Sequence, residues 1–260
     1  EQAGRCTLEA APGAVLARGA TDSCAMHLVA AGLEPGAWSL SLGTTVTWKA
    51  AIPSDSPDVL DRLPRGAYGH RIAADAWLAA AAGNSGGGVL RATIRLPELD
   101  SRARFPSGFA AYPLARPGDR FPIADPAFTG FGVPDVCDER LHAALLEGVA
   151  FVARLGVDRL THAGVTTPQS VVVTGGGARS SVWMRVLASV LAVDVVALPD
   201  SGPAMGAALL AAAAADRATV KEVRAAVAQT PAATQAPDPG LAAALAERYT
   251  AFTKLLQIVT

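Results

Sequence analysis

The stretch VVVTGGGARSSVW, residues 171–183, sets four strand-forming residues before three consecutive glycines and a run that reads as a helix start. Each glycine loses more backbone entropy on folding than any other residue. Gly175, Gly176 and Gly177 together therefore imply a close approach to this backbone, by a ligand or by another element of the fold. A strand, a glycine loop and a helix invite the dinucleotide-binding reading, but GGGARSS does not fit G-x-G-x-x-G. The following strand also ends in Ala197 and Leu198, without the acidic residue that reading needs. The P-loop pattern G-x-x-x-x-G-K-[ST] is absent as well, so the loop belongs to neither common phosphate-binding class.

Working outward, the last third alternates strand and helix. SVVVTGGG is a strand, SSVWMRVLASVLA a helix, DVVAL a strand and GPAMGAALLAAAAA a helix that reads as buried. The proline-bearing TPAATQAPDPG reads as a linker into a final helix from about Leu241 to Gln257. Upstream, DERLHAALLEGVAFVARLG places Leu141, Leu145, Val149 and Val152 at helical spacing and is expected to stop at Gly156. Between about Leu99 and Val136 prolines and glycines recur. The aromatics Phe105, Phe109, Tyr112, Phe121, Phe128 and Phe131 argue that this long loop is ordered, because they need somewhere to bury.

The first third reads differently. AVLARGATD (14–22) suggests a strand broken at Gly19, and SCAMHLVAAG a short helix stopped by glycine. AWSLSLGTTVTWKAAI alternates with period two: a strand, a tight turn at Gly43-Thr44-Thr45, and a returning strand. AYGHRIAADAWLAAAAG suggests a second hairpin turning near Ala74-Asp75, and NSGGGVLRA opens a helix. Antiparallel strands followed by βαβα units place the chain in the α/β class.

With 260 residues, 51% of them apolar and 17% charged, the chain can bury a sizeable core. A net charge of -1 gives no basic stripe for nucleic acid. Mean hydropathy is +0.31, yet the run Pro203–Ala215 is too short to span a bilayer, so no membrane association is expected. Cys6, Cys24 and Cys137 are odd in number and widely spaced, which fits a reducing cytoplasm better than a disulfide framework. His27, His70, His142 and His162 show no metal-ligand spacing. The chain does not begin with Met, which suggests a piece of something longer.

Seven segments then occur in order: GATDS (19–23), LGTT (42–45), AGNSGGG (82–88), PGDRFPIADP (117–126), LLEGVAF (145–151), TGGGARSSVW (174–183) and GPAMGAALLA (202–211). Their order and spacing resemble the C-terminal domain of the FGGY carbohydrate kinases, over about residues 14–258 after a lead-in of 1–13. GATDSCA, AYGHRI and AGNSGGGVL are most similar to the xylulokinase and D-ribulose kinase branch. The resemblance implies a ribonuclease-H-like (actin-like ATPase) domain with a mixed sheet flanked by helices, and ATP and Mg²⁺ as cofactors. It also implies a small-molecule sugar as substrate, D-xylulose or D-ribulose.

Residue by residue, Asp22 falls on the family's general base, the group that accepts the proton of the attacking sugar hydroxyl. Its bland alternative is a helix N-cap. Gly43, Thr44 and Thr45 match a phosphate-binding turn, whose alternative is an ordinary hairpin. Gly83 and Gly87 match the loop beside ribose and phosphates. Gly176 and Gly177 match the adenine side, where bare backbone would let a flat base lie close, and Ser181 the position that reaches the purine in some relatives. Arg179 suggests a phosphate clamp only weakly.

The family carries an N-terminal domain that supplies most sugar contacts, and it often dimerises, so a homodimer is allowed. The expectation is half of a kinase, folded but nearly inactive alone. The alternative from another class is a catalytically silent, actin-like nucleotide-binding module.

Overall fold

The computed structural model describes residues 4–5, 15–17, 19–53, 55–73, 76–93, 98–136, 138–216, 218–227 and 230–260. The expected turn at Ala74-Asp75, most of the lead-in with Cys6, and Cys137 lie outside the described residues.

Nine strands and eight α-helices follow one another among the described residues. They are β1 (Gly4–Arg5), β2 (Val15–Leu16), α1 (Asp22–Ala30), β3 (Trp38–Leu42), β4 (Val46–Ile52), β5 (Ala67–Ala73), β6 (Ala76–Ala82), α2 (Gly87–Thr93), α3 (Leu99–Arg102) and α4 (Glu139–His162), then β7 (Ser170–Thr174), α5 (Ser181–Leu191), β8 (Asp194–Ala197), α6 (Pro203–Ala215), α7 (Val220–Ala226), β9 (Ala233–Gln235) and α8 (Pro239–Val259).

Seven strands form one mixed sheet in the order β5-β6-β4-β3-β7-β8-β9. The β3–β4 and β5–β6 hairpins pair antiparallel, and β7 runs parallel to both β3 and β8. β1 and β2 form a separate two-stranded ribbon. The period-two reading of residues 37–52 holds to the residue, because alternate side chains of β3 and β4 enter different layers. Leu40, Leu42, Val46 and Trp48 join the large core under α4, α5 and α8. On the other face Ala51 packs with Cys24 of α1 and Leu78.

The structure corrects four expectations. α4 does not stop at Gly156 but runs on to His162, and the turn out of it falls at Gly164, with φ +102°. Gly156 is instead a notch for an indole. A Cβ there would meet Trp48 Cε2 at 2.4 Å, and the Trp48 Nε1–H donates to the Ala153 carbonyl at 2.9 Å. The linker before the last helix contains β9, which closes the sheet against β8. α7 is an added helix, begun by a Thr219–Glu222 capping box. Finally, α6 is not a buried helix: only Gly206, Leu209 and Ala213 are buried, while Ala204, Met205, Ala207, Ala208 and Ala211 are exposed.

The proline-rich segment is ordered, as its aromatics demand. Tyr112, Phe121 and Phe128 are buried, and Tyr112 packs edge-to-face on Phe128 and stacks on Phe252 of α8. This segment also supplies the partner of Glu147, a buried carboxyl in α4 that accepts from the Ser107 N–H at 2.6 Å and from the Ser107 hydroxyl. Burial pushes the Glu147 pKa from an ordinary 4.5 up to about 7, against the opposing pull of those hydrogen bonds.

The folded protein therefore holds this proton more tightly than the unfolded chain, and stability drains away as pH rises from about 4.5 to about 7. Glu147→Gln is expected to flatten that slope and to raise stability at pH 8 by up to about 3 kcal/mol. Urea titrations at pH 5 and pH 8 check it, and equal slopes for wild type and variant would refute it.

Candidate functional site

The β3–β4 turn is the point on which the glycine loops converge. Within it the Gly43 N–H donates to the Thr45 carbonyl at 3.1 Å. From the loop after β6, the N–H groups of Gly87 and Gly88 donate to the carbonyls of Gly43 and Thr44 at 2.8 and 2.9 Å. A Cβ at Gly86, Gly87 or Gly88 would come within 2.6–2.8 Å of the turn's backbone, so only glycine allows this contact. From the other side comes Gly175, at φ +84°, where a Cβ would stand 3.0 Å from the Leu42 carbonyl oxygen and 3.3 Å from the Gly43 nitrogen.

This geometry separates the three glycines of 175–177. Gly175 is required by its backbone conformation. Gly177 is required by packing, because a Cβ would stand 2.7 Å from both Leu42 Cβ and the Trp183 ring. Gly176 alone has nothing within 4 Å and is exposed. Of the two adenine-side candidates, then, Gly176 presents bare backbone outward and Gly177 is spoken for internally. Gly83 is likewise internal, its missing Cβ replaced by the Phe121 carbonyl and the Trp48 ring.

Thr44 is exposed and Thr45 partly so, which leaves their hydroxyls at the rim. Ser181 is the exposed first residue of α5, which is capped by Ser180, whose hydroxyl oxygen accepts from the Trp183 N–H at 3.1 Å. Ser180 also donates to Asp100 at 2.6 Å, and Asp100 accepts from His142 Nε2 at 2.7 Å. That chain ties the loop to α3 and α4. Arg179 is engaged by Asp200 in an exposed ion pair.

The rim's buttress went unassigned in the sequence. Asp119, in the PGDR segment, accepts from the Asn84 N–H at 2.7 Å, the Arg120 N–H at 2.8 Å and the Tyr112 hydroxyl. Arg120 and Asn84 close the ring, with Nε to Oδ1 at 2.9 Å. Burial raises the Asp119 pKa, and these donors hold it down in part. Asp119→Ala leaves a buried tyrosine hydroxyl and a loop N–H unpaired, each costing about 1–3 kcal/mol. If the rim binds nucleotide, the variant should weaken ATP binding about tenfold, read by calorimetry; unchanged affinity would separate the buttress from the site.

Asp22 is the first residue of α1, and among the described residues no hydrogen bond joins it to this rim. The N-cap position belongs to Thr21, which makes no side-chain cap, and among the described residues Asp22 Oδ1 accepts from the adjacent Ser23 N–H at 2.6 Å. The carboxylate is exposed. α1 itself is held firmly: a Cβ at Gly206 of α6 would fall 2.0 Å from the Ala25 carbonyl oxygen. Arg224 of α7 caps its other end, donating to the Val29 and Ala30 carbonyls, each at 3.1 Å.

Residues 40–215, about two thirds of the chain, match the model of the FGGY family of carbohydrate kinases, C-terminal domain. The xylulose kinase of Escherichia coli is 40% identical over 104 residues, which cover 38% of this chain and 21% of that protein. Among solved structures, a xyloylose kinase from Brucella ovis superposes with a TM-score of 0.79 at 27% identity, covering 93% of this chain and 51% of that one. A xylulose kinase from Rhodospirillum rubrum gives 0.76 at 25%, covering 95% and 52%. The chain thus spans about half the length of the kinases whose structures it shares, and its sheet and flanking helices are those of their actin-like ATPase fold. It belongs to the FGGY family of carbohydrate kinases, whose C-terminal domain it carries.

Proposed function

We propose that this chain is the nucleotide-binding, base-carrying half of an ATP-dependent ketopentose kinase acting on D-xylulose or D-ribulose. The observation that carries the reading is the convergence of the 86–88 and 175–177 glycine loops on one threonine-bearing turn. The Gly43, Gly87 and Gly88 N–H groups hold the loops together, and the Thr44 and Thr45 hydroxyls at the rim are the groups that suit a polyphosphate.

In this reading the acceptor hydroxyl oxygen forms a bond to the γ-phosphorus as the bond from that phosphorus to the β,γ-bridging oxygen breaks. The bridging electron pair leaves with ADP, and the hydroxyl proton passes to the Asp22 carboxylate. Thr44 and Thr45 orient the phosphates, and Gly176 lets the nucleotide lie against the backbone. Among the described residues no cluster of three or more acidic, histidine or cysteine side chains could form a metal cage. Mg²⁺ needs none, since it is commonly held through substrate phosphates and one or two oxygen ligands. The Asp22 carboxylate and the threonine hydroxyls are of that kind, and the ion would neutralise phosphate charge.

Two features support a second half. The relatives are about twice as long, and α6 turns an exposed apolar face, with Met205 47% exposed, away from α1. No described helix is long and apolar enough to cross a membrane, and a reaction that consumes ATP suits the cytoplasm.

The test is ADP release from Mg-ATP by the full-length protein and by this chain, each offered D-xylulose, D-ribulose and glycerol. We expect turnover of one ketopentose by the full-length protein and nucleotide binding without turnover by this chain. No release with any ketopentose would remove the reading.

A further inference from the structure

Lys49 is a buried cation in the sheet interior. It lies in the middle of β4, only 2% exposed, and among the described residues its side chain makes neither a hydrogen bond nor an ion pair. An ammonium so placed costs several kcal/mol unless something compensates it. Its surroundings show what does.

The strand register sets Tyr68, Ala80, Lys49 and Ser39 in one row across β5, β6, β4 and β3, on the face that carries α1. Ser39 is occupied by His27 Nδ1 at 2.7 Å. Burial, reinforced by Lys49 and Arg224 of α7, lowers the His27 pKa to about 3, so this neighbour stays neutral. His70 of β5, paired with Leu78 on the same face, is also pushed down by burial and by Lys49. Ala80 is small and leaves the lysine stem room.

Burial lowers the Lys49 pKa, and Cys24 and Asp22 from the first turn of α1 oppose that shift. The packing agrees: Cys24 lies on Ala51, the next residue of β4 on this face, so the first turn of α1, which begins at Asp22, stands over the lysine's side of the sheet. The next row toward the Gly43–Thr45 turn is Ser41, Thr47 and Ala82, and all three are partly exposed. Lys49 is therefore the last covered position before an open strip of sheet that runs to the phosphate turn.

We infer that Lys49 is a further residue of the reaction site, whose ammonium beside Asp22 supplies the positive charge that the transferring phosphoryl group meets as it nears the base. The inference rests on the kinase reading above. The chemistry requires such a charge: an ionised base and the γ-phosphoryl oxygens repel each other, and a fixed cation in a water-poor cleft offsets both. His27 and His70 are held neutral and Arg224 is committed to the end of α1, so from this half the charge falls to Lys49.

The experiment replaces Lys49 by Met in the full-length protein and reads ketopentose-dependent ADP release together with the thermal midpoint. Lys49→Gln serves as a second neutral variant if Met does not fold. We expect turnover to fall about 100-fold or more, with a midpoint equal to or above wild type, because a buried charge that makes no hydrogen bond or ion pair among the described residues has been removed. Lys49→Arg, which keeps the charge, should recover part of the loss. Turnover within about threefold of wild type overturns the inference. So does a loss of turnover matched by a lowered midpoint in every variant, which marks a purely structural lysine. A wild-type protein inactive on all ketopentoses fails the kinase reading itself, whereas an active wild type with an equally active Lys49→Met fails only this inference.

Discussion

Asp22→Asn in the full-length protein is expected to lower ketopentose phosphorylation by about 10²–10⁴-fold, the range a positioned general base contributes. Nucleotide affinity should be unchanged, because among the described residues Asp22 makes no hydrogen bond to those that form the glycine rim. Stability should fall by no more than about 1 kcal/mol, the worth of one acidic side chain in the first turn of a helix. The dissociation of the two effects is the informative part. A carboxylate serving only to start α1 would leave turnover intact when amidated, since Asn satisfies a helix start as well as Asp does. Among the described residues the Ser23 N–H is its one bonded donor, and Thr21 holds the cap position. Undiminished ADP release in the variant would therefore take Asp22 out of the reaction and leave it as a helix-start residue only.

Trp48→Ala carries the largest expected loss of stability, about 3–5 kcal/mol. The indole is completely buried, packs edge-to-face on Phe121 at 5.2 Å, and fills the notch of Gly156 in α4. It also touches Gly83, the first residue of the rim loop, at 3.2 Å from where a Cβ would stand. One side chain thus joins the sheet, the long helix, the proline-rich segment and the glycine rim. The cavity left behind should lower the thermal midpoint by on the order of 10 °C and loosen the 83–88 loop. Gly156→Ala attacks the same contact from the other side and should cost about 1–3 kcal/mol by overpacking. Urea unfolding of both variants checks this. A Trp48→Ala loss under about 1 kcal/mol would show that the notch closes without strain.

Much of the architecture was legible from neighbouring residues alone. The alternation around Gly43 specified both strands and their turn, and VVVTGGG followed by SSVW specified β7, its loop and α5. Helix spacing in 139–155 identified α4 but not its end. A glycine within a helix costs about 1 kcal/mol relative to alanine wherever it stands, and that local cost resembles a stop signal. Only Trp48, brought in from β4, shows why Gly156 is there. β9 escaped notice because a three-residue edge strand is held by backbone bonds to β8 and carries no buried apolar pattern of its own. α6 was misjudged for the opposite reason: its apolar composition is evident, but composition does not say which side is covered.

The site divides in the same way. Gly43, Thr44, Thr45, Gly176 and Asp22 were singled out from their motifs, and Ser181 from its place after them. Asp119 and Lys49 were not, although Lys49 is the one charged residue of β4 and its period-two position put it on the face away from Trp48. What the sequence determined by itself was the order and kind of the elements and their family likeness, because propensity, periodicity and turn chemistry act over a few residues. Only the tertiary structure decided which glycine is left bare and exposed and which meets a neighbouring backbone. It alone set the first turn of α1 over the face of the sheet that carries Lys49, since those relations depend on surfaces far apart in the chain that meet only when the sheet is assembled.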